Sequence, residues 1–256
     1  MRLADLPPPE TIREGGEALC VRRLGAGPRL VLLHGGPGLD HHLLLPLALA
    51  LGDRHEVWLA DLPGHGRAGG PAPGLEATLK RLGRFLGGAG AGFVGGHSLG
   101  AWLVRELLRT RTIAADAAVW IAPPGPHRGR VPAPAETEGE LREEVAAGRP
   151  LDPLVREAIE ATVLRSPRHH ARLLADLLPL LRAAPPPCDP RCPTLVVAGG
   201  RDPVAPPHVA RAVAAATRGA ALEVLPDAGH YPWAGGSAPL ADCIRRFLDQ
   251  ARTSDR

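Results

Sequence analysis

Gly96-His97-Ser98-Leu99-Gly100 constrains this chain more than any other stretch. It reads G-x-S-x-G. The residues before it, Ala91-Gly92-Phe93-Val94, have the character of a buried strand, and residues 101–110 carry Trp102, Leu103, Leu107 and Leu108 at helical spacing. Ser98 therefore falls on a sharp strand-to-helix turn, the setting in which this pattern presents a reactive hydroxyl. Such a turn holds its serine in a strained backbone conformation. Glycines on either side let strand and helix pass too closely for side chains, and the helix N-terminus points partial positive charge at the site. With 31 glycines and four serines in the chain, a chance match is expected about 0.06 times, so the flanking elements decide the reading.

Those elements recur along the chain. Residues 11–24 read as a hairpin turning at Gly15-Gly16. Short buried strands are expected at 30–33, 56–60, 93–94, 117–121, 194–198 and 221–225. Helical spacing occupies 40–51, 74–86, 101–110, 206–217 and 239–252. Strands alternating with helices predict a parallel sheet covered on both faces. The alternation fails at 123–190, between Pro123-Pro124 and the run Pro185-Pro186-Pro187. Three helix-like segments, 136–147, 152–164 and 167–181, fill that interval. The expected organisation is a core of residues 1–122 and 191–256 with a helical insertion at 123–190.

Composition excludes several classes. The net charge is +3, carried by 29 arginines and one lysine that are scattered rather than clustered. Aromatic residues make up 3%. Neither a basic footprint nor a base-stacking platform is present, so nucleic acid is not an expected partner. Cys188 and Cys192 are four apart, but no second pair completes a zinc set, and the four cysteines are expected to be free buried thiols. Residues 1–9 lack the apolar core of a signal peptide, and the longest apolar run, 43–51, contains Pro46 and is too short to span a bilayer. The expectation is a soluble cytoplasmic protein with no membrane partner.

A serine hydroxyl needs a neighbouring base to attack at neutral pH. His230 lies just past the strand ending at Leu225, and Asp202 follows the strand ending at Ala198 through Gly199-Gly200-Arg201. Both sit where parallel strands end, on the same sheet edge as Ser98. A carboxylate on the imidazole Nδ1–H would fix its tautomer and stabilise the cation formed in attack. Asp227 is the competing carboxylate, but its place three residues before His230 suits a turn better. A tetrahedral intermediate needs N–H donors. Leu99 follows the nucleophile, and His34-Gly35-Gly36-Pro37-Gly38 follows the strand at 30–33. Pro37 has no N–H, so Gly36 is the second candidate donor.

Five segments together, 34–38, 61–67 (Asp61-Leu62-Pro63-Gly64-His65-Gly66-Arg67), 96–100, 200–202 and 229–230, resemble the marker motifs of the α/β-hydrolase superfamily. The resemblance spans residues 21–248 and places 123–190 at the family's cap position. It implies an α/β-hydrolase fold and a Ser98–Asp202–His230 triad in the family's chain order. It also implies a small-molecule substrate and no metal or organic cofactor. His-Gly-Gly-Pro-Gly, with His230-Tyr231-Pro232-Trp233, is similar to proline iminopeptidases and related small-molecule hydrolases. Iminopeptidases usually carry Gly-Gly-Ser-Trp-Gly at the elbow. His97 and Leu99 bring this chain closer to esterases, thioesterases and carbon–carbon bond hydrolases, and Ala68 stands where the family often has serine. The expected activity is hydrolysis of an ester, thioester or amide through an acyl-Ser98 intermediate. The alternatives are an iminopeptidase-like aminopeptidase, an acyl transferase or cyclase with the same triad, and a non-catalytic receptor, which would normally carry a broken triad. The acids Glu136, Glu138, Glu140, Glu143 and Glu144 are expected to form a solvated helix face.

Overall fold

Strands buried on both faces read as unbroken apolar runs, and their alternate residues feed two separate cores. The computed structural model, which describes residues 2–68, 72–126, 135 and 137–254, shows this arrangement. Leu30 and Leu32 join one hydrophobic cluster while Val31 and Leu33 join the other. The strands are β1 (Glu10–Glu14), β2 (Glu17–Leu24), β3 (Arg29–Leu33), β4 (Glu56–Ala60), β5 (Phe93–His97), β6 (Ala117–Ile121), β7 (Thr194–Gly199) and β8 (Ala220–Leu225). They form one sheet in the order β1-β2-β4-β3-β5-β6-β7-β8. β1–β2 and β2–β4 pair antiparallel, and the remaining pairs are parallel.

Helices cover both faces. Residues of α1 (Leu45–Leu51) and α8 (Ala238–Ser254) pack in the first cluster, and those of α2 (Leu75–Gly88), α3 (Leu99–Arg109) and α7 (Pro207–Ala215) in the second. The chain belongs to the α/β class, as expected. Because the inner strands are parallel, the loops after β3, β4, β5, β7 and β8 all emerge at one edge of the sheet. That edge, where strand order reverses around β3, is where open α/β sheets bind ligands.

Between β6 and β7 lie α4 (Glu138–Ala146), α5 (Pro153–Ala161) and α6 (Ala171–Arg182). α4 starts on a capping box in which Thr137 accepts from the Glu140 N–H and Glu140 reaches back to the Thr137 N–H. α5 starts on Asp152 with Pro153 in its first turn. Val155 and Ile159 of α5 join the first core cluster, and Leu173 and Leu177 of α6 join the second. Polar ties reinforce the seat. The Val163 N–H donates to Asp40 Oδ2 at 2.9 Å, and the Leu75 N–H donates to Asp176 Oδ2 at 2.9 Å.

Several boundaries differ from the sequence reading: the segment expected at 167–181 is a 3-10 turn at Pro167–His170 before α6, and the one expected at 152–164 ends as a helix at Ala161. Residues 41–44 form a 3-10 turn, and the α-helix begins only at Leu45, with Pro46 in its first turn where the missing N–H costs nothing. β5 continues through Gly95 and Gly96 to His97, paired with Leu32 and Leu33 on one side and Val119 to Ile121 on the other. Glycine is ordinarily a weak strand residue, but here the neighbouring backbones leave no room for anything else. A Cβ on Gly96 would lie 2.4 Å from the Gly100 carbonyl carbon, and one on Gly100 would lie 2.3 Å from the Leu33 oxygen.

Candidate active site

Ser98 occupies the hinge between β5 and α3 with φ 48° and ψ −116°, a left-handed conformation that a serine adopts only under constraint. The Ser98 N–H donates to the Ile121 carbonyl at 2.9 Å, which fixes the turn to the neighbouring strand. Leu99 opens α3, so its N–H belongs to the first turn, whose donors have no partner within the helix.

Asp202 follows β7. Its Oδ1 accepts from the N–H groups of Val204 and Ala205, both at 2.8 Å, and its Oδ2 lies 2.8 Å from His230 Nδ1. The carboxylate is fully buried. Burial alone would raise its pKa, but the hydrogen bonds from His230, Ala205 and Val204 outweigh that cost and hold it below the ordinary value. Asp202 is thus an anion with its oxygens occupied, and it accepts the His230 Nδ1–H, leaving Nε2 as the basic nitrogen. Asp227 is elsewhere. Its side chain is 84% exposed and pairs with Arg201 at 2.7 Å, which removes it from the imidazole.

Ser98, His230, Gly36 and Leu99 line one cavity of about 130 Å³. Gly36 has φ +135°, a conformation that side chains rarely adopt. Its loop is braced from below by His34. The His34 Nδ1–H donates to the Gly35 carbonyl at 2.6 Å, and Nε2 accepts from the Leu62 N–H at 3.0 Å. This joins the loop after β3 to the loop after β4. In the latter, Asp61 accepts from the His41 N–H, from His41 Nδ1 at 2.8 Å and from the Arg67 N–H. Burial works against the Asp61 charge, and His41 with its neighbours overcomes it, holding the carboxyl well below the usual range.

Leu174, Leu177, Leu178 and Leu181 of α6 make much of the cavity wall apolar, with Glu144, Arg182 and Tyr231 as polar lining. Tyr231 donates its hydroxyl proton to Glu144 Oε1 at 2.8 Å. Here the sequence reading is corrected. Glu138, Glu140 and Glu143 are exposed as expected, but Glu144 is half-buried at the cavity, and Glu136 lies outside the described residues. The available signal was its position on α4 beside Val145 and three residues after Leu141, the two residues that α4 buries.

Asp40, His41 and His42 offer atoms within 4.8 Å of one another, a spacing that could hold a cation. Those atoms are already engaged. Asp40 accepts from His42 and the Val163 N–H, and His41 lies between Asp61 and Arg22. The four cysteines are free. Cys188 and Cys243 are buried as expected, whereas Cys20 and Cys192 are only partly so.

The buried histidines make stability depend on pH. His65 and His97 are each pushed down to about 3, first by burial, then by His34 beside His65 and by His230 beside His97. In the unfolded chain each protonates near the ordinary ~6.5. The folded value lies below the unfolded one, so their stabilisation is complete above pH ~6.5 and is lost as pH falls towards 3. At pH 5 each costs about 2 kcal/mol relative to neutral pH, a large share of a stability of about 5–15 kcal/mol. Denaturant midpoints measured from pH 7.5 to pH 5 should therefore fall steadily. Midpoints that do not change over this range would contradict the burial of these rings. Asp61 adds its own loss only below the unfolded carboxylate value of ~4, outside this window.

Among the described residues no helix is long and apolar enough to cross a membrane. Comparison with known proteins gives a consistent picture. A model described as the alpha/beta hydrolase family matches residues 30–246. Polyketide synthase ThaQ of Burkholderia thailandensis is 30% identical over 259 residues, which is 92% of this chain and 12% of that protein. The chain thus spans about one-eighth of the length of that curated relative. Among solved structures, a serine hydrolase involved in carbazole degradation (CarC enzyme) superposes with a TM-score of 0.76 at 17% identity, covering 94% of this chain and 98% of the other. A thermophilic esterase from Thermogutta terrifontis does so with a TM-score of 0.65 at 21% identity, covering 96% and 99%. At these identities the two structures speak for the fold.

Proposed function

The chain belongs to the alpha/beta hydrolase family, and from that premise we propose that it is a serine hydrolase using Ser98, His230 and Asp202. The observation that carries the reading is the buried His230 Nδ1–Asp202 Oδ2 contact of 2.8 Å beside a cavity that Ser98 also lines. His230 Nε2 takes the Ser98 proton as Oγ attacks the substrate carbonyl. The N–H groups of Gly36 and Leu99 receive the oxyanion. His230⁺ then protonates the leaving group, and the tetrahedral intermediate collapses to acyl-Ser98. Water, deprotonated by the same Nε2, attacks the acyl carbon, and the acid leaves as Ser98 recovers its proton. Asp202 accepts the Nδ1–H of the neutral ring, so that the Nε2 lone pair faces the site, and stabilises the cation in between. No step needs a metal or organic cofactor.

Residues 123–190 act as a cap over the site in this proposal. The leucines of α6 at the cavity wall support an apolar acyl group as the part of the substrate they hold. Among ester, thioester and amide, the likeness to a segment of a polyketide synthase favours a polyketide-type acyl thioester. A panel of acyl N-acetylcysteamine thioesters, acyl p-nitrophenyl esters and proline p-nitroanilide tests the reading. The thioesters and esters with apolar acyl groups are expected to give the highest kcat/KM. Preference for the proline anilide would make the protein an iminopeptidase instead. No turnover of any of them, with no labelling of Ser98 by a fluorophosphonate, would point to a receptor.

A further inference from the structure

His97 precedes the candidate nucleophile and takes no part in the mechanism above, yet its side chain is fully placed. Its ring is buried against His230, Tyr231 and Trp233, with centroids 4.8, 4.9 and 5.0 Å away. Nε2 lies 2.8 Å from the backbone carbonyl oxygen of His230. A carbonyl only accepts, so His97 carries its proton on Nε2 and donates it there. The opposite edge of the ring faces Gly35, where a Cβ would lie 2.6 Å from Nδ1, so the absence of a side chain at Gly35 is what gives His97 its room. The same Cβ would come within 3.3 Å of the Ser98 Cβ.

We propose that His97 is a positioning residue: its Nε2–H holds the His230 backbone carbonyl and so ties the general base to the strand that carries the nucleophile. The loop bearing His230 leaves β8 at Leu225, on the far side of β6 and β7 from β5. The Asp202 contact fixes the His230 ring at Nδ1 but does not by itself fix the distance from Nε2 to Ser98. The His97 bond supplies that second restraint. It starts one residue from Ser98 and ends on the main chain of the base itself. Charge does not interfere. Burial and the neighbouring His230 push the His97 pKa down to about 3, so the ring stays a neutral donor with one N–H throughout the working range. Asp202 and His34 are the other charged or titratable groups acting on it.

This inference rests on His230 being the base, and the experiment separates the two. His97→Gln keeps an N–H donor on a side chain of similar reach, while His97→Met keeps the bulk and removes the donor. His97→Met is expected to lower kcat about a hundredfold with KM little changed, the cost of a base misplaced by about 1 Å. His97→Gln should recover most of that loss. Trp233→Phe, which disturbs packing against His97 without touching the bond, should lower the melting temperature and leave the kcat to KM split unchanged. A folded His97→Met enzyme with wild-type kcat overturns the inference, as does a His97→Gln enzyme no better than His97→Met. Should His97→Met fail to fold, His97→Leu, which also lacks the donor, takes its place: a fall in kcat with KM little changed supports the inference and wild-type kcat overturns it. His230→Ala is measured alongside. If it remains active, the assignment of the base fails. If it is inactive while His97→Met is unimpaired, only the positioning role fails.

Discussion

Ser98→Ala is expected to lower kcat about a millionfold and to abolish labelling by a fluorophosphonate. Removing the nucleophile leaves only oxyanion stabilisation and substrate positioning, the residue of catalysis that survives when a triad member is lost. The variant should fold. Ser98 has no side-chain capping bond to α3, and its structural role is carried by its backbone, through the N–H to Ile121. Alanine at φ 48° carries the same backbone strain that serine already bears, so stability should change little. His230→Ala should cost about as much in kcat, because the two side chains act as a unit, and the double variant should be little worse than either single one. Full labelling of Ser98→Ala would place the nucleophile elsewhere.

Asp202→Asn is expected to lower activity near neutral pH by a factor of about 10⁴. An amide at this position can still meet the Val204 and Ala205 N–H groups through its oxygen. Its NH₂ would then face His230 Nδ1. That nitrogen would have to accept rather than donate, which puts the proton on Nε2 and removes the base. Asp227→Asn is the matched control. Asp227 is exposed and paired with Arg201, and such surface pairs contribute little, so its activity should stay within a factor of about two of wild type. Measuring kcat/KM on one activated ester for both variants decides between the carboxylates. A large effect at Asp227 with a small one at Asp202 would reverse the assignment.

The two carboxylates also show where sequence reasoning ends. Residue order and loop position favoured Asp202 over Asp227 but left both open. The choice depends on which oxygen lies 2.8 Å from the His230 ring, and that distance is set by how far the loops after β7 and β8 extend beyond the sheet edge. Nothing local in Gly-Arg-Asp or Asp-Ala-Gly-His encodes it. Glu144 makes the same point. Its spacing from Leu141 and Val145 placed it beside the buried stripe of α4, but only the docking of that helix brings its carboxylate to the cavity and to the Tyr231 hydroxyl. The donation from His97 to His230 is more remote still, since it joins residues 133 apart in the chain.

By itself the sequence determined the α/β alternation, the parallel sheet and the edge at which the motif loops gather. The physical reason is that strand and helix periodicity, and the glycines that close approach demands, are written into each segment separately. It also singled out Ser98, because the strained turn is built from adjacent residues. The tertiary structure alone decided which side chains meet across the sheet edge: the partner of His230, the polar lining of an otherwise leucine-walled cavity, and the hydrogen bond between His97 and the His230 backbone. Those contacts depend on the sheet order and on the seating of α4 and α6, which arise from packing the whole chain into two cores rather than from any local run of residues.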